Sequence, residues 1–222
     1  METIYFNPGC AWTLYKPEAE ERALGCLRKL SPGVAMHRIC CHHDPQVPQG
    51  SRIVCICSGC HRRFNNLYEG VRGVTFWELI DADAGFPFPD YGGREMSVHD
   101  ACPVRKRPEV HAAVRSLLEK MNIRVRETRL HGYKSVCCGS SFYGLLSIDK
   151  MHEHMRRRAG SMPCDDVAVY CVTCLKSMHT GGRRPHHLLD LLFGEQCSPT
   201  LLSMPTDEWY KSVDRMRKLQ IG

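Results

Sequence analysis

The chain has no run of about 18 apolar residues, so no segment of it is expected to cross a bilayer as a helix. It also lacks the GxGxxG and P-loop patterns with which proteins bind dinucleotides and nucleoside triphosphates. The compact CxxCxxCxxxC run of bacterial ferredoxins is missing as well. We therefore expect a protein that has no membrane span and does not bind an electron-carrying nucleotide through these motifs.

The start of the chain lacks the positive residues and apolar stretch of a secretory signal. Pro8, Gly9 and Cys10 follow almost at once. We therefore expect no export signal and a cytoplasmic location, where thiols stay reduced. The chain has 14 cysteines in 222 residues. Clustered cysteines in a reducing compartment usually bind metal and seldom form disulfides.

The formal net charge is +6, with basic runs at 105–107 and 156–158. Neither run has interleaved aromatic residues or a recognisable nucleic-acid module around it, so we expect no binding of nucleic acid. If ten of the cysteines bind metal clusters as thiolates, their negative charge would cancel most of this positive excess. The basic side chains are either solvated or steer an acidic partner or anionic substrate.

The two halves of the chain repeat one order of elements. Each half has a short strand-like run, a cysteine, and a proline that starts a helical segment, at 17–30 and at 108–121. An adjacent cysteine pair follows, and then an apolar strand, 53–56 or 167–170, that leads to a Cys-x-x-Cys. Apolar strands that alternate with amphipathic helices are typical of βα units around a parallel sheet.

We therefore predict an α/β fold of two pseudo-repeated βα halves with mostly parallel sheets, each with a five-cysteine cluster site in its loops. A segment rich in proline and glycine, 81–93, separates the halves. The predicted domains are 1–93 and 94–222, and the second includes terminal helices near 187–194 and 206–220.

Each half carries five cysteines at strand ends or in loops, where parallel α/β sheets place their ligand sites. The two sets are Cys10, Cys40, Cys41, Cys57 and Cys60, and Cys102, Cys137, Cys138, Cys171 and Cys174. A structural zinc uses four thiolates, so the fifth would be surplus. A conventional cubane cluster also uses four. Five thiolates instead suit a distorted or opened four-iron cluster, with zinc as the alternative, above all in the N-terminal half.

The other cysteines lie outside both patterns. They are Cys26, Cys55, Cys164 and Cys197. Cys26 falls in a helical stretch and Cys55 in an apolar strand, which favours small buried hydrophobic residues. A redox dithiol stays open as an alternative. Histidines near the sets, such as His99, either donate a proton to a product thiolate or hydrogen-bond a cluster sulfur. We assign no catalytic residue.

Several motifs resemble the cysteine-rich CCG domains of heterodisulfide reductases and of the iron–sulfur subunits of glycolate and lactate oxidases. They are Asn7-Pro8-Gly9-Cys10, His99-Asp100-Ala101-Cys102-Pro103, Val136-Cys137-Cys138-Gly139 and Tyr170-Cys171-Val172-Thr173-Cys174-Leu175, followed by 186–192. The resemblance covers most of the chain and implies that all ten cysteines of the two sets are ligands of two noncubane 4Fe–4S clusters. In the N-terminal half, His42 replaces the glycine after the cysteine pair, and zinc stays an alternative there.

The resemblance implies an oxidoreductase subunit that reduces a small disulfide or related sulfur substrate. Its electrons would come from a partner flavoprotein or ferredoxin-like subunit, because the chain has no motif for an electron-entry cofactor of its own. A hetero-oligomer is therefore expected. The alternatives are an electron-relay subunit of a glycolate- or lactate-type dehydrogenase and a zinc-stabilised interaction module.

Overall fold

A computed structural model describes residues 3–220 of the chain. The chain divides into two compact units. The first contains the chain up to Ala84 together with the segment from Lys211 onward, and the second is Gly85–Tyr210.

This division differs from the sequence-based boundary at residue 94 in two places. Residues 85–93 belong to the second unit, where Tyr91 donates its backbone N–H to Met121 and its hydroxyl to the Leu191 carbonyl. The end of the chain belongs to the first unit, because the backbone N–H of Cys40 donates to the Gln220 carbonyl. Hydrogen bonds over such long sequence separations leave no local signal in the sequence.

The first unit is a four-stranded sheet with helices between its strands. Its elements are β1 (Ile4–Asn7), α1 (Cys10–Tyr15), α2 (Glu18–Leu30), β2 (Ala35–Met36), β3 (Ser51–Cys55), α3 (Ser58–Leu67), β4 (Val71–Thr75) and α4 (Phe76–Asp81). The strand order is β2-β1-β3-β4, and each pair is parallel.

The second unit repeats this plan and adds helices at its end. Its elements are β5 (Arg94–His99), α5 (Pro108–Lys120), β6 (Ile123–Val125), α6 (Ile148–Gly160), β7 (Asp166–Val169), α7 (Val172–Thr180), β8 (Arg184–His187), α8 (Leu188–Leu192), α9 (Pro199–Ser203) and α10 (Thr206–Leu219), with short 3₁₀ turns at Cys102–Val104, Gly132–Lys134 and Ser140–Phe142. The strand order is β6-β5-β7-β8, again parallel throughout. Helix α10 continues past Tyr210, so its last residues belong to the first unit.

The prediction of an α/β fold with two βα halves is confirmed. Each sheet reverses its strand order at the same place, between the first and third strands of its unit. The registers also match, since Asn7 lies opposite Cys55 in the first sheet and His99 lies opposite Val169 in the second. The sequence repeat is therefore also a repeat of backbone topology.

The helices begin where the sequence predicts. Pro17 is the N-cap of α2, whose first turn carries three glutamates, and Pro108 opens α5. Proline fits the first turn because its missing N–H has no partner there, and acids favour the positive end of the helix dipole. Apolar residues that recur at three- and four-residue steps along 108–121 form one buried face; they are Val110, Val114, Leu117, Leu118 and Met121.

Within residues 3–220, no helix combines the length and the apolar character that a bilayer crossing requires.

Candidate metal centres

The strand ends bring the N-terminal cysteines to one edge of the first sheet. Cys10 opens α1 just after β1, Cys57 caps α3 just after β3, and Cys60 lies in the first turn of α3. Cys40 and Cys41 follow β2, the neighbour of β1 on its other side. The carboxyl ends of parallel strands meet at one edge, and the point where the strand order reverses leaves a crevice there.

The five N-terminal thiols form one continuous series of hydrogen-bonded neighbours. Cys10 contacts Cys40, Cys40 contacts Cys41, Cys41 contacts Cys60, and Cys60 contacts Cys57. Hydrogen bonds from Cys10 and Cys41 lower the pKa of Cys40 to about 2. Donation to Cys40 raises the pKa of Cys10, and burial raises it further. These two donated hydrogen bonds therefore favour the thiolate form of Cys40.

The five C-terminal thiols repeat this order at the edge of the second sheet. Cys102 contacts Cys137, Cys137 contacts Cys138, Cys138 contacts Cys174, and Cys174 contacts Cys171. Hydrogen bonds from Cys102 and Cys138 hold the pKa of Cys137 far below its usual range. Donation to Cys137 raises the pKa of Cys138 to about 12, and a hydrogen bond from Cys174 lowers that of Cys171 to about 6.

The sulfur contacts follow the same order in both sets, although the loops between the cysteines differ in length. Fifteen residues separate Cys41 from Cys57, whereas 32 separate Cys138 from Cys171. In both sets, the first cysteine of the adjacent pair accepts from two neighbours, and the second cysteine of the CxxC has two sulfur neighbours within hydrogen-bond reach of its thiol. The structure thus brings together every residue of each sequence-predicted set.

Gly9 gives the N-terminal set room for its close approach. Its φ of 85° lies in the region that favours glycine. A Cβ added there would lie 3.0 Å from the Cβ of Cys57 and 3.1 Å from the Sγ of Cys60. The glycine before Cys10 is therefore needed for both its backbone conformation and its size.

Buried Asp100 holds the loops of the C-terminal set in place. Its carboxylate accepts from Arg115 at 2.6 and 2.8 Å, from the Gly132 N–H at 2.6 Å and from the Tyr170 hydroxyl at 3.0 Å. Its backbone carbonyl accepts from the Ser135 hydroxyl, two residues before Cys137. Burial alone would raise the pKa of Asp100, but hydrogen bonds from Arg115 and Gly132 outweigh it and keep that pKa below its usual range.

Replacing Asp100 by asparagine is expected to lower the free energy of unfolding by about 3 kcal/mol, because it leaves part of a buried ion pair uncompensated. Since the folded carboxyl has the lower pKa, its stabilisation is present above the unfolded pKa of about 3.9 and is lost as the pH falls. Urea unfolding at neutral and acidic pH measures both effects. Asp165→Asn is the matched control; Asp165 pairs with Arg183 at the surface, where an ion pair contributes about 0–1 kcal/mol. Equal losses in the two variants would contradict the role of Asp100.

His99 also lies at the C-terminal set, although the sequence marks it only as a nearby histidine. One of its ring nitrogens and the Sγ atoms of Cys138 and Cys174 lie within 4.8 Å of one another, and all three residues are buried. Burial, together with the charge of Arg158, lowers the pKa of His99 to about 3. This group marks the second unit as a candidate metal-binding site.

The remaining cysteines are not members of either set. Cys55 is 1% exposed and packs in a core cluster with Ile53 and Phe64, which agrees with its prediction as a small buried hydrophobic residue. Cys26, Cys164 and Cys197 are half-buried. The fourteen cysteines all lie within the described residues, and none of them forms a disulfide there.

The donor atoms suit a thiophilic metal or an iron–sulfur group. Each set offers five sulfurs in a series of pairwise contacts, and thiolates are the ligands that zinc and iron–sulfur clusters prefer. A single tetrahedral zinc would leave one thiol of each set without a role. The C-terminal set reaches the surface at half-buried Cys102 and Cys137, whereas only Cys57 of the N-terminal set is more than slightly exposed.

No protein-family model and no curated protein matches the chain. Among solved structures, it is similar to the Picrophilus torridus aspartate racemase, with 9% identity and a TM-score of 0.35 over 92% of this chain and 100% of that one. A likeness at this TM-score carries no argument about the function of the chain.

Proposed function

We propose that each five-cysteine set binds a noncubane 4Fe–4S cluster. The observation that carries this proposal is that both sets connect their five sulfurs in the same order, although their loops differ in length. Selection for one tetrahedral zinc would not require a fifth thiol in either set. Four irons with bridging sulfurs use five thiolates, and adjacent cysteines reach different irons of one cluster.

We propose further that the chain is the disulfide-reducing subunit of a larger redox complex, as its resemblance to the CCG domains of heterodisulfide reductases implies. Reduction of a disulfide takes two electrons and two protons and yields two thiols. Bound clusters would supply the electrons one at a time. The half-buried Cys102 and Cys137 leave the C-terminal set accessible to a small sulfur substrate.

A partner flavoprotein or ferredoxin-like subunit would deliver the electrons, because the sequence has no nucleotide-binding motif. The complex is then a hetero-oligomer. The thiols have to stay reduced until the clusters are assembled, which suits the cytoplasm.

The test is anaerobic purification followed by measurement of iron, acid-labile sulfide and zinc, and of the electron paramagnetic resonance (EPR) spectrum with and without added disulfide. About eight irons per chain is the expected result for two four-iron clusters. A new paramagnetic signal on adding a disulfide under oxidising conditions would support catalysis. Eight irons without that signal would favour the electron relay. Zinc alone, with no iron after reconstitution, would leave an interaction module.

A further inference from the structure

His99 lies next to the C-terminal set of cysteines, which we call the C-terminal centre. It ends strand β5, three residues before Cys102, and is 0% exposed. A ring nitrogen lies within 4.8 Å of the Sγ atoms of both Cys138 and Cys174. Two roles suit such a neighbour: it is either a metal ligand or a hydrogen-bond donor to sulfur.

The contact with Arg158 decides between these roles. The Nε–H of Arg158 donates to the Nδ1 of His99 at 3.1 Å. A guanidinium has no acceptor atom and stays protonated in proteins, so Nδ1 has to carry a lone pair and no hydrogen. The ring is then neutral, and its hydrogen is on Nε2. The Nδ1 lone pair accepts the hydrogen of Arg158 and Nε2 carries a hydrogen, so neither ring nitrogen of His99 can bind a metal.

The hydrogen on Nε2 of His99 has no acceptor in the part of the chain that the structure describes. Nε2 is fully buried and has no hydrogen-bond partner within residues 3–220. An unsatisfied buried donor costs about 1–3 kcal/mol, so a group that accepts its hydrogen is expected there. Thiolate and sulfide sulfurs at the C-terminal centre are such acceptors.

Arg158 is itself buried, at 3% exposure, and its direct partners are uncharged. Besides His99, it donates to the Ser161 hydroxyl at 3.1 Å and to the Leu130 carbonyl at 2.9 Å. The carboxylate of Asp100 lies near enough to act on its charge, but Arg115 binds both of its oxygens. A buried cation is costly unless negative charge lies close by. A centre made of five thiolates supplies that charge.

The N-terminal half lacks this donor at the matching position. Asn7 ends β1, three residues before Cys10, as His99 ends β5. Its side-chain Nδ2 contacts the ring of His37 and the carbonyl of Ile39, both at 2.8 Å. The amide hydrogens of Asn7 are therefore used within the loop, and its remaining Oδ1 is an acceptor only.

We propose that His99 donates its Nε2–H to a sulfur of the C-terminal centre, with Arg158 as the positioning residue that fixes its tautomer. This inference rests on the proposed iron–sulfur function. Hydrogen bonds to cluster sulfurs stabilise the more negative, reduced state and raise the reduction potential. The hydrogen bond from His99 would therefore raise the reduction potential of a cluster held by the C-terminal set.

The test is an anaerobic potentiometric titration of the full chain, followed by EPR, for His99→Phe and Arg158→Met. Both variants are expected to keep the wild-type iron and sulfide content. In His99→Phe, the reduction equilibrium constant of the C-terminal cluster falls about tenfold, which is a shift of about 59 mV to lower potential for a one-electron couple. Arg158→Met shifts it in the same direction, and the potential of the N-terminal cluster stays unchanged as an internal reference. In His99→Gln, the amide N–H restores most of the potential.

His111→Phe is the matched control. His111 is a buried histidine of the same unit, and the charged groups that act on it are Asp100, Arg115, Glu109 and Glu127. We expect it to keep the wild-type potential.

The outcomes separate the inference from the function on which it rests. Loss of about four irons in both His99→Phe and His99→Gln would make His99 a ligand and overturn the donor assignment. Full iron content with an unchanged C-terminal potential in His99→Phe, or an equal shift in His111→Phe, would overturn the inference and leave the iron–sulfur function standing. A wild-type chain without iron would overturn both. If His99→Phe does not fold, Arg158→Met decides the question, because an unchanged C-terminal potential in that variant would also overturn the inference.

Discussion

Replacing Cys138 by alanine is expected to lower the iron content of the anaerobically purified chain from about eight to about four atoms. Cys138 is 2% exposed and lies in the middle of the C-terminal series of sulfurs, in contact with both Cys137 and Cys174. Its removal breaks the set into two separate pairs, which cannot enclose a four-iron cluster. Iron and sulfide analysis measures the loss, and the EPR spectrum identifies which cluster remains.

Cys164→Ala is the control for this experiment. Cys164 is a half-buried free thiol of the same unit that is in neither set. We expect its replacement to leave the iron content unchanged. An unchanged content in Cys138→Ala as well would mean that the C-terminal set does not hold a cluster, whereas loss of all iron would mean that the two sets load together.

Replacing Gly9 by alanine is expected to remove the N-terminal cluster and to destabilise the chain. The new Cβ would lie 3.1 Å from the Sγ of Cys60 and 3.0 Å from the Cβ of Cys57, in a site with no space for it. The positive φ costs about 1–3 kcal/mol for alanine, and overpacking adds about 1–3 kcal/mol. Urea unfolding measures the stability, and iron analysis measures the expected loss of about four atoms.

Gly50→Ala separates these two causes. Gly50 has the same φ of 85°, but an added Cβ would meet nothing within 4 Å. We expect a stability loss of about 1–3 kcal/mol from the positive φ and an unchanged iron content. Equal iron loss in the two variants would show that backbone strain is responsible and that Gly9 has no role in the approach of Cys57 and Cys60.

Much of the fold could be predicted because its signals are local. Proline at the start of α2 and α5 and a 3.6-residue apolar period each act within a few residues of chain. The strands are predictable for the same reason, as short apolar runs between loops. The domain boundary is harder to predict from sequence, because it depends on long-range hydrogen bonds such as that from the Cys40 N–H to the Gln220 carbonyl.

Some features of the candidate sites could also be predicted from sequence, and others could not. The repeated spacing is enough to nominate ten cysteines, because few other patterns place five thiols at strand ends twice in one chain. The spacing does not indicate which thiols have a strongly lowered pKa, as Cys40 and Cys137 have. That assignment depends on which thiols donate to them, which is a matter of three-dimensional contact.

The sequence by itself determined the composition of the sites, the two halves and the positions of the main helices. Only the tertiary structure decided the order in which the sulfurs meet and the role of His99. Arg158 lies 59 residues after His99 and comes from helix α6, so no local pattern joins them. They meet because parallel pairing of β5 with β7 brings distant loops to one sheet edge, and strand order and register cannot be read from short-range signals.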